Sequence, residues 1–328
     1  MLSSEKFTFD PRVLDRSRPR GISAFMRIKN GEDFLEAAIE SHIEFFDEIV
    51  AVHNGCTDAS VSILERLAGR YGPKLRVLCY EPRVPAPGSA EHRRTDTFSI
   101  HSMANYSNYC LANTRYSVVT KLDDDHIAIP GNVARITSLI RGADCRLGQR
   151  MICFSGINLV ASGSEVGVHQ TVPFAGHGDH WFLEASSRTF FRQDRRFERL
   201  NRHGVKMEYH GISYWHMKFL KKGHGFANYQ LDRNPDSRFH KQRRRFEEGR
   251  IPISLSDLHV LCRTAAERGG MMGALKRVVS EKERLRHERN AHFDLEALQS
   301  EFDRLLERLT RGGGPRLTAP RRRISCRR

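Results

Sequence analysis

The sequence predicts an α/β protein with a mostly parallel central sheet and a helical C-terminal region. Through residue 130, short apolar segments alternate with segments of helical spacing, the pattern of strands joined by crossover helices. From about residue 254 the apolar spacing is helical only. The chain has 328 residues, of which 39% are hydrophobic and 28% charged. This composition supports a sizeable core and excludes wholesale disorder.

The alternation begins with an apolar strand that ends in a turn at Lys29-Asn30-Gly31. Further strands and helices follow with spacings typical of crossover units. In order, the predicted elements are a strand at 21–28, a helix within 32–46, a strand at 48–52, a turn at 53–58, a helix over 61–67, a strand at 75–80, a helix near 102–113 and a strand at 116–122. Ligands of such a sheet gather at the carboxyl ends of its strands.

The pattern changes after Pro130. Residues 151–154 predict a strand and 157–168 a hairpin, whereas 173–220 give few regular signals. Apolar residues between 293 and 309 form one stripe of a charged helix, which indicates packing on the domain or a partner more than membrane docking.

The positive charge is concentrated near the C-terminus. The formal net charge is +15, and residues 311–328 supply seven arginines and no acid. Their glycines and prolines predict disorder. A basic tail suits an anionic lipid surface, at about 1 kcal/mol per Lys or Arg, but a solvated end without a partner is an equal alternative. Because the excess lies in a tail and not on a folded face, nucleic-acid binding is disfavoured.

Several classes of protein are disfavoured. No stretch approaches the roughly 18 apolar residues of a membrane span, and the N-terminus lacks the apolar run of a secretory signal. Seven single cysteines without a CxxC pair favour reduced thiols over disulfides or a zinc finger. We therefore expect a cytoplasmic protein, and the tail leaves peripheral attachment to the inner face of the membrane open.

An acidic string is the strongest chemical signal. Asp123, Asp124 and Asp125 follow an apolar strand, where their mutual repulsion needs a positive partner. Carboxylates suit Mg²⁺ or Mn²⁺. Asp123 and Asp125 would share one side of an extended chain, with Asp124 opposite, meeting a sugar hydroxyl or a basic residue. Lys121 is expected to neutralise the acids. The competing interpretation is a solvated acidic turn.

Three motifs resemble one enzyme family. Residues 27–32 (RIKNGE), residues 46–58 (FDEIVAVHNGCTD) and residues 122–125 (LDDD) occur in its order. They resemble the first strand end, the "DEIVVVDNGSTD" stretch and the DxD motif of GT-A glycosyltransferases of the family-two, inverting type. His53 and Cys56 depart from that pattern, at positions where an acid and a serine are common.

The resemblance implies a Rossmann-like nucleotide-sugar-binding fold and a metal-dependent glycosyltransferase of hexosyltransferase type. It would use Mn²⁺ or Mg²⁺ and a nucleoside diphosphate sugar, with UDP favoured, and act with inversion on a glycan, glycolipid or other lipid-linked acceptor, as in polysaccharide biosynthesis. The implied organisation is an N-terminal extension (1–20), a nucleotide-sugar half (21–130), an acceptor-binding and catalytic half (131–253), C-terminal helices (254–310) and a disordered basic tail (311–328).

The resemblance also implies site residues. The donor would contact Arg27, Asn54, Asp58, Asp123 and Asp124, and the metal would bind Asp123, Asp125 and His216. Alternatives stay open: Asp58 can simply cap a helix, Arg27 can form a surface ion pair, and a lone histidine such as His216 is often structural.

Inverting transfer requires a carboxylate that takes the acceptor proton. Asp179, in the string HGDHWFLE, is the first candidate by loose similarity, and Glu184 is the second. The same string can instead bind metal or form a structural loop.

Other functions remain as alternatives. A nucleotidyltransferase that makes nucleotide sugars would use a related sheet, but its glycine-rich phosphate loop is not evident at residues 27–31. A nucleic-acid-binding protein and a catalytically inactive glycan-binding relative are the non-enzymatic alternatives.

Overall fold

The computed structural model describes residues 4–143, 145–194, 197–267, 280–291, 293–310 and 317–320. Its strands are β1 (Ile22–Ile28), β2 (Glu48–His53), β3 (Leu75–Cys79), β4 (Val118–Lys121), β5 (His126–Ala128), β6 (Arg150–Ser162), β7 (Glu165–His169), β8 (Phe174–Glu184), β9 (Thr189–Gln193), β10 (Glu198–Arg202), β11 (Lys206–His216) and β12 (Pro252–Ile253). Its helices are α1 (Leu35–His42), α2 (Ser60–Tyr71), α3 (Ala90–Arg94), α4 (Met103–Ala112), α5 (Pro130–Arg141), α6 (Phe239–Glu248), α7 (Leu255–Glu267), α8 (Glu281–Ala291) and α9 (Leu295–Thr310).

The first four strands form a parallel sheet in the order β3-β2-β1-β4. Both faces of this sheet are covered, which explains why its strands are apolar without alternation. Met26 on β1 packs with α1 and α2 on one face, and the adjacent Phe25 packs with α4 on the other. The α/β class and the predicted crossover units are therefore confirmed.

The second half extends the sheet with mixed strand directions. Strand β8 pairs antiparallel with β4, β6 lies beyond it, and β7 and β12 complete that edge. Strand β11 runs parallel to β6, and its end pairs antiparallel with β5. Residues 173–220, for which we predicted few regular elements, thus contain β8 to β11. Glycines and histidines interrupt the apolar alternation of these strands, so the sequence pattern did not predict them.

The C-terminal helices pack on the domain, as their apolar stripe predicts. The Phe302 ring of α9 lies with its centroid 5.3 Å from that of the buried Trp215 of β11. Among the described residues, no helix is both long and apolar enough to cross a membrane.

Part of the predicted disordered tail is ordered. The amide of Thr318 donates to the carbonyl of Ser164 at 3.0 Å, and the amide of Val166 donates to the carbonyl of Thr318 at 2.9 Å. Pro320 is buried against Gly167. Disorder is therefore the wrong prediction for residues 317–320, which lie beside β7 because backbone pairing is available there. The other residues of 311–328 lie outside the described part of the chain.

Candidate functional site

The acidic string lies where the strand pattern predicts. Asp123, Asp124 and Asp125 form the turn between β4 and β5, at the carboxyl edge of the parallel strands. Asp125 is buried, with 7% of the residue exposed, and the other two are half-buried. Three carboxylates in such a turn require counter-charges, because burial penalises their ionised forms.

Two lysines provide those counter-charges. The Nζ of Lys121 lies 2.8 Å from Oδ1 of Asp123, so its predicted neutralising role is confirmed. The Nζ of Lys221 lies 2.9 Å from Oδ1 of Asp124 and 3.0 Å from Oδ2 of Asp125. Asp124 therefore meets a basic residue, one of the two partners predicted for it. Lys221 was not predicted from the sequence, because only the turn after β11 brings it to the cluster.

The pKa values of these groups follow from burial and charge. Burial alone would raise the pKa of Asp123, but the nearby positive charge of Lys121 outweighs it and holds that pKa well below its ordinary value. Burial is likewise outweighed at Asp125, where the positive charge of Lys221 lowers the pKa. For Asp124, burial and the neighbouring carboxylates prevail over Lys221, so its pKa is raised.

His216 reaches this cluster from the end of β11. Its Nε2 lies 3.4 Å from Oδ1 of Asp125, and its Nδ1 lies 2.5 Å from Oδ1 of Asn158. The side-chain amide of Asn158 donates to the carbonyl of Val172 at 2.6 Å, so its oxygen must face the ring as an acceptor. The His216 proton therefore sits on Nδ1. In the neutral ring, Nε2 carries a lone pair directed towards a carboxylate oxygen, an arrangement that a cation would stabilise.

A second histidine belongs to the same cluster. His126 is the cross-strand partner of His216, and its Nε2 lies 4.0 Å from Oδ1 of Asp125 and 3.7 Å from Oδ2 of Asp123. Among the described residues, this buried Nε2 has no hydrogen-bond partner. Burial holds the pKa of His126 well below its ordinary value, so its neutral form prevails. The ring of His180 packs against His126, with centroids 4.8 Å apart.

These donors fit a divalent cation. Asp125, His126 and His216 place ligand atoms within 4.8 Å of one another, and so do Asp123, His126 and His180. The structure therefore divides the predicted set of Asp123, Asp125 and His216 between two groups, and His126 belongs to both. His126 was not predicted as a ligand. It follows the acids directly in the sequence and begins the next strand, and this position could have identified it.

Arg27 already has protein partners. Its Nη1 lies 2.5 Å from Oε1 of Glu198 and donates to the hydroxyl of Ser107 at 2.8 Å. The competing interpretation of Arg27 as an ion-paired residue thus describes its contacts, although the pair is largely buried and not on the surface.

Asn54 and Asp58 also serve the fold. The side-chain amide of Asn54 donates to the carbonyls of Tyr80 and Pro82 at 2.6 and 2.8 Å. Asp58 accepts from the amides of Ser60 and Glu32, both at 3.0 Å, and so joins the start of α2 to the turn after β1. These side chains shape the predicted donor crevice by holding its turns.

The two base candidates lie in different places along β8. Asp179 precedes His180, but its side chain lies outside the described part of the structure. Glu184 pairs in register with Val118, the first residue of β4, and accepts from the amide of Gly148 at 2.6 Å. It lies at the opposite end of β4 from the acids. The prediction of Glu184 as the second base candidate is therefore corrected, because strand direction separates it from the cluster.

Comparisons with known proteins give partial likenesses. No family model and no curated protein matches the chain. Among solved structures, glucosyl-3-phosphoglycerate synthase from Mycobacterium tuberculosis, in complex with Mn²⁺, UDP and phosphoglyceric acid, is 20% identical, with a TM-score of 0.28 and coverage of 44% of this chain and 45% of that one. S. aureus TarS is 11% identical, with a TM-score of 0.36 and coverage of 60% and 36%.

A further structure, of a mycobacterial protein, is 16% identical, with a TM-score of 0.34 and coverage of 62% of this chain and 69% of that one. The present chain thus spans less than half the length of the synthase that it matches. The α/β class is established by the observed sheet.

Proposed function

We propose that this protein is a metal-dependent glycosyltransferase of the GT-A class, family-two type, that uses a nucleoside diphosphate sugar. One observation carries the proposal: Oδ1 of Asp125 and Nε2 of His216 face each other 3.4 Å apart at the carboxyl edge of the parallel strands. Two electron-pair donors in that position form a site for a cation, beside Nε2 of His126, which has no hydrogen-bond partner in the described part of the chain. The motifs at residues 27–32, 46–58 and 122–125 support the glycosyl-transfer chemistry.

In this proposal Asp125, His126 and His216 hold the cation. When bound, a divalent cation offsets the negative charge that develops on the leaving diphosphate. Imidazole ligands beside carboxylates favour Mn²⁺ over Mg²⁺, which takes mainly oxygen ligands. Lys121 keeps Asp123 ionised, and Asn158 keeps the lone pair of His216 directed at the site.

The remaining assignments rest on the family resemblance. Asp179 is the proposed base that takes the proton of the acceptor hydroxyl, and inversion follows from a single displacement. UDP is the favoured nucleotide, and the acceptor is a glycan or a lipid-linked sugar. We place the protein in the cytoplasm, with the arginines of 321–328 contacting anionic lipid. Binding to anionic vesicles tests this contact. Loss of binding when residues 321–328 are removed supports the contact, and unchanged binding excludes it.

Thermal unfolding tests the proposal. The full chain is heated with Mn²⁺ and, separately, UDP, GDP, CDP or TDP; a ligand at 100 times its dissociation constant adds about 2.7 kcal/mol to the free energy of unfolding. We expect a rise in Tm with one nucleotide that EDTA reverses. Asp125→Asn should lose that rise, whereas Asp303→Asn, on the exposed side of α9, should keep it. No rise with any nucleotide would overturn the proposed donor site.

A further inference from the structure

Lys221 is a largely buried cation beside the proposed metal ligands. Its ammonium bridges Asp124 and Asp125 at 2.9 and 3.0 Å, and only 12% of its side chain is exposed. The turn that carries it is tied to the same acids, because the amide of Met217 donates to the carbonyl of Asp125 at 2.8 Å. A lysine in this position affects any cation that binds to these carboxylates.

The segment around Lys221 is anchored on the turn after β1. The amide of Lys222 donates to Oδ2 of Asp33 at 2.8 Å, a backbone contact that does not require the exposed Lys222 side chain. The side-chain amide of Asn228 donates to the carbonyl of Lys29 at 2.6 Å. These contacts hold the backbone beside the cluster, so Lys221 is a built part of the site.

The two oxygens of Asp125 serve different partners. Oδ1 faces Nε2 of His216 at 3.4 Å, whereas Oδ2 faces the ammonium of Lys221 at 3.0 Å. A divalent cation at the histidine side and the ammonium at the other can therefore share one carboxylate. Lys221 does not need to leave when a cation binds, but its positive charge remains close to that cation and repels it.

The net charge of the cluster indicates how Lys221 affects a bound cation and a diphosphate. The carboxylates of Asp123, Asp124 and Asp125 face the ammonium groups of Lys121 and Lys221, which leaves one negative charge when all five are ionised. A divalent cation would give the cluster one positive charge, which attracts a diphosphate. Without Lys221 the same cation would neutralise the cluster, and that attraction would weaken.

We propose that Lys221 weakens binding of the divalent cation and strengthens binding of the nucleoside diphosphate at the same site. The cation alone binds weakly, the two ligands together bind strongly, and each raises the affinity for the other by the same factor. Metal would thus be retained only while a nucleotide is present. This inference rests on the proposed function, since it needs a nucleotide at the cation site.

Mn²⁺ binding tests the inference, measured as free Mn²⁺ by electron paramagnetic resonance with and without UDP. The wild type is compared with Lys221→Met and with Lys222→Met, a matched control that removes the same charge from the adjacent residue, whose side chain is 79% exposed. We expect Lys221→Met to bind Mn²⁺ alone at least tenfold more tightly, about 1.4 kcal/mol. In a calorimetric titration without metal, the same variant should bind UDP at least tenfold more weakly. The Lys222→Met variant should behave as wild type.

Distinct results would overturn the two proposals. If UDP enhances Mn²⁺ binding in the wild type and a folded Lys221→Met variant matches Lys222→Met for both ligands, the proposed role of Lys221 fails and the donor site stands. If Lys221→Met weakens UDP binding without tightening Mn²⁺ binding, Lys221 is a phosphate contact instead. If the wild type shows no UDP effect on Mn²⁺, both fail. Circular dichroism establishes folding, and Lys221→Gln replaces the methionine variant if that variant does not fold.

Discussion

Asn158 offers a direct test of how the site holds its cation. It accepts from Nδ1 of His216 at 2.5 Å and donates to the carbonyl of Val172 at 2.6 Å. Asn158→Leu removes both contacts, whereas Asn158→Asp removes the donor and keeps an acceptor for the ring. The two variants therefore share the lost contact to Val172 and differ in whether the His216 proton stays on Nδ1.

The expected size of the effect follows from the role of the hydrogen bond that Asn158 makes with His216. Loss of a hydrogen bond that orients a metal-binding histidine typically costs 10- to 100-fold in metal affinity, which is about 1.4 to 2.7 kcal/mol. We expect Asn158→Leu to weaken Mn²⁺ binding by this factor, because Nε2 of His216 then carries the proton part of the time. The shared loss of the Val172 contact should lower the free energy of unfolding by about 0.5–1.5 kcal/mol in both variants.

Titration of Mn²⁺ into the full chain, with UDP present, measures the affinity, and urea unfolding measures the stability. Asn158→Asp should retain Mn²⁺ affinity close to that of the wild type despite its lower stability. Wild-type affinity in Asn158→Leu would refute the tautomer argument and remove His216 from the proposed ligands. Equal weakening in both variants would attribute the effect to the strand and not to the ring.

Further predictions concern other parts of the chain. Asp125→Ala should abolish sugar transfer while the circular dichroism spectrum stays unchanged, and near-normal turnover would contradict the metal assignment. Gly31→Ala would push a Cβ into the carboxylate of Asp124, so we expect weaker Mn²⁺-dependent UDP binding in a calorimetric titration. Gly69→Ala in α2, where an added Cβ meets nothing within 4 Å, should instead raise the free energy of unfolding by about 0.5–1 kcal/mol in urea. Burial lowers the pKa of His42 to about 4, below its unfolded value near 6.5. Only the unfolded chain then binds this proton between those pH values, so stability should fall by about 1.4 kcal/mol per pH unit on acidification; His42→Gln should flatten that slope in urea titrations at pH 7 and 5.

The first half of the fold was predictable because the pattern of each element lies within a short stretch of sequence. A parallel sheet covered on both faces needs apolar strands separated by amphipathic helices, and both patterns stand in the sequence through residue 130. Strand β8 was not predictable in the same way. Glycines and histidines in Phe174–Glu184 break the alternation, and its strand character depends on pairing with β4 and β6.

The residues of the candidate site were likewise predictable only in part. Asp123 and Asp125 were identified because strand ends bind ligands in α/β sheets. Asn54 and Asp58 were expected at the donor, but backbone groups of neighbouring turns use their side chains. Lys221 was missed, since nothing in its local sequence indicates that the turn after β11 returns to the acids.

The position of His216 depends on the register of one strand pair. Strand β11 begins opposite the start of β6, but two register shifts, between Tyr209 and Ile212 and between Ile212 and Tyr214, each add one residue to β11. Gly211, with φ of 96°, lies within the first shift, where other residues are strained. Without these shifts Asn158 would face Tyr214, and the ring that faces Asp125 would lose the acceptor that fixes its proton. The irregular glycine-containing strand is therefore what aligns the proposed ligand, its orienting amide and the acidic turn.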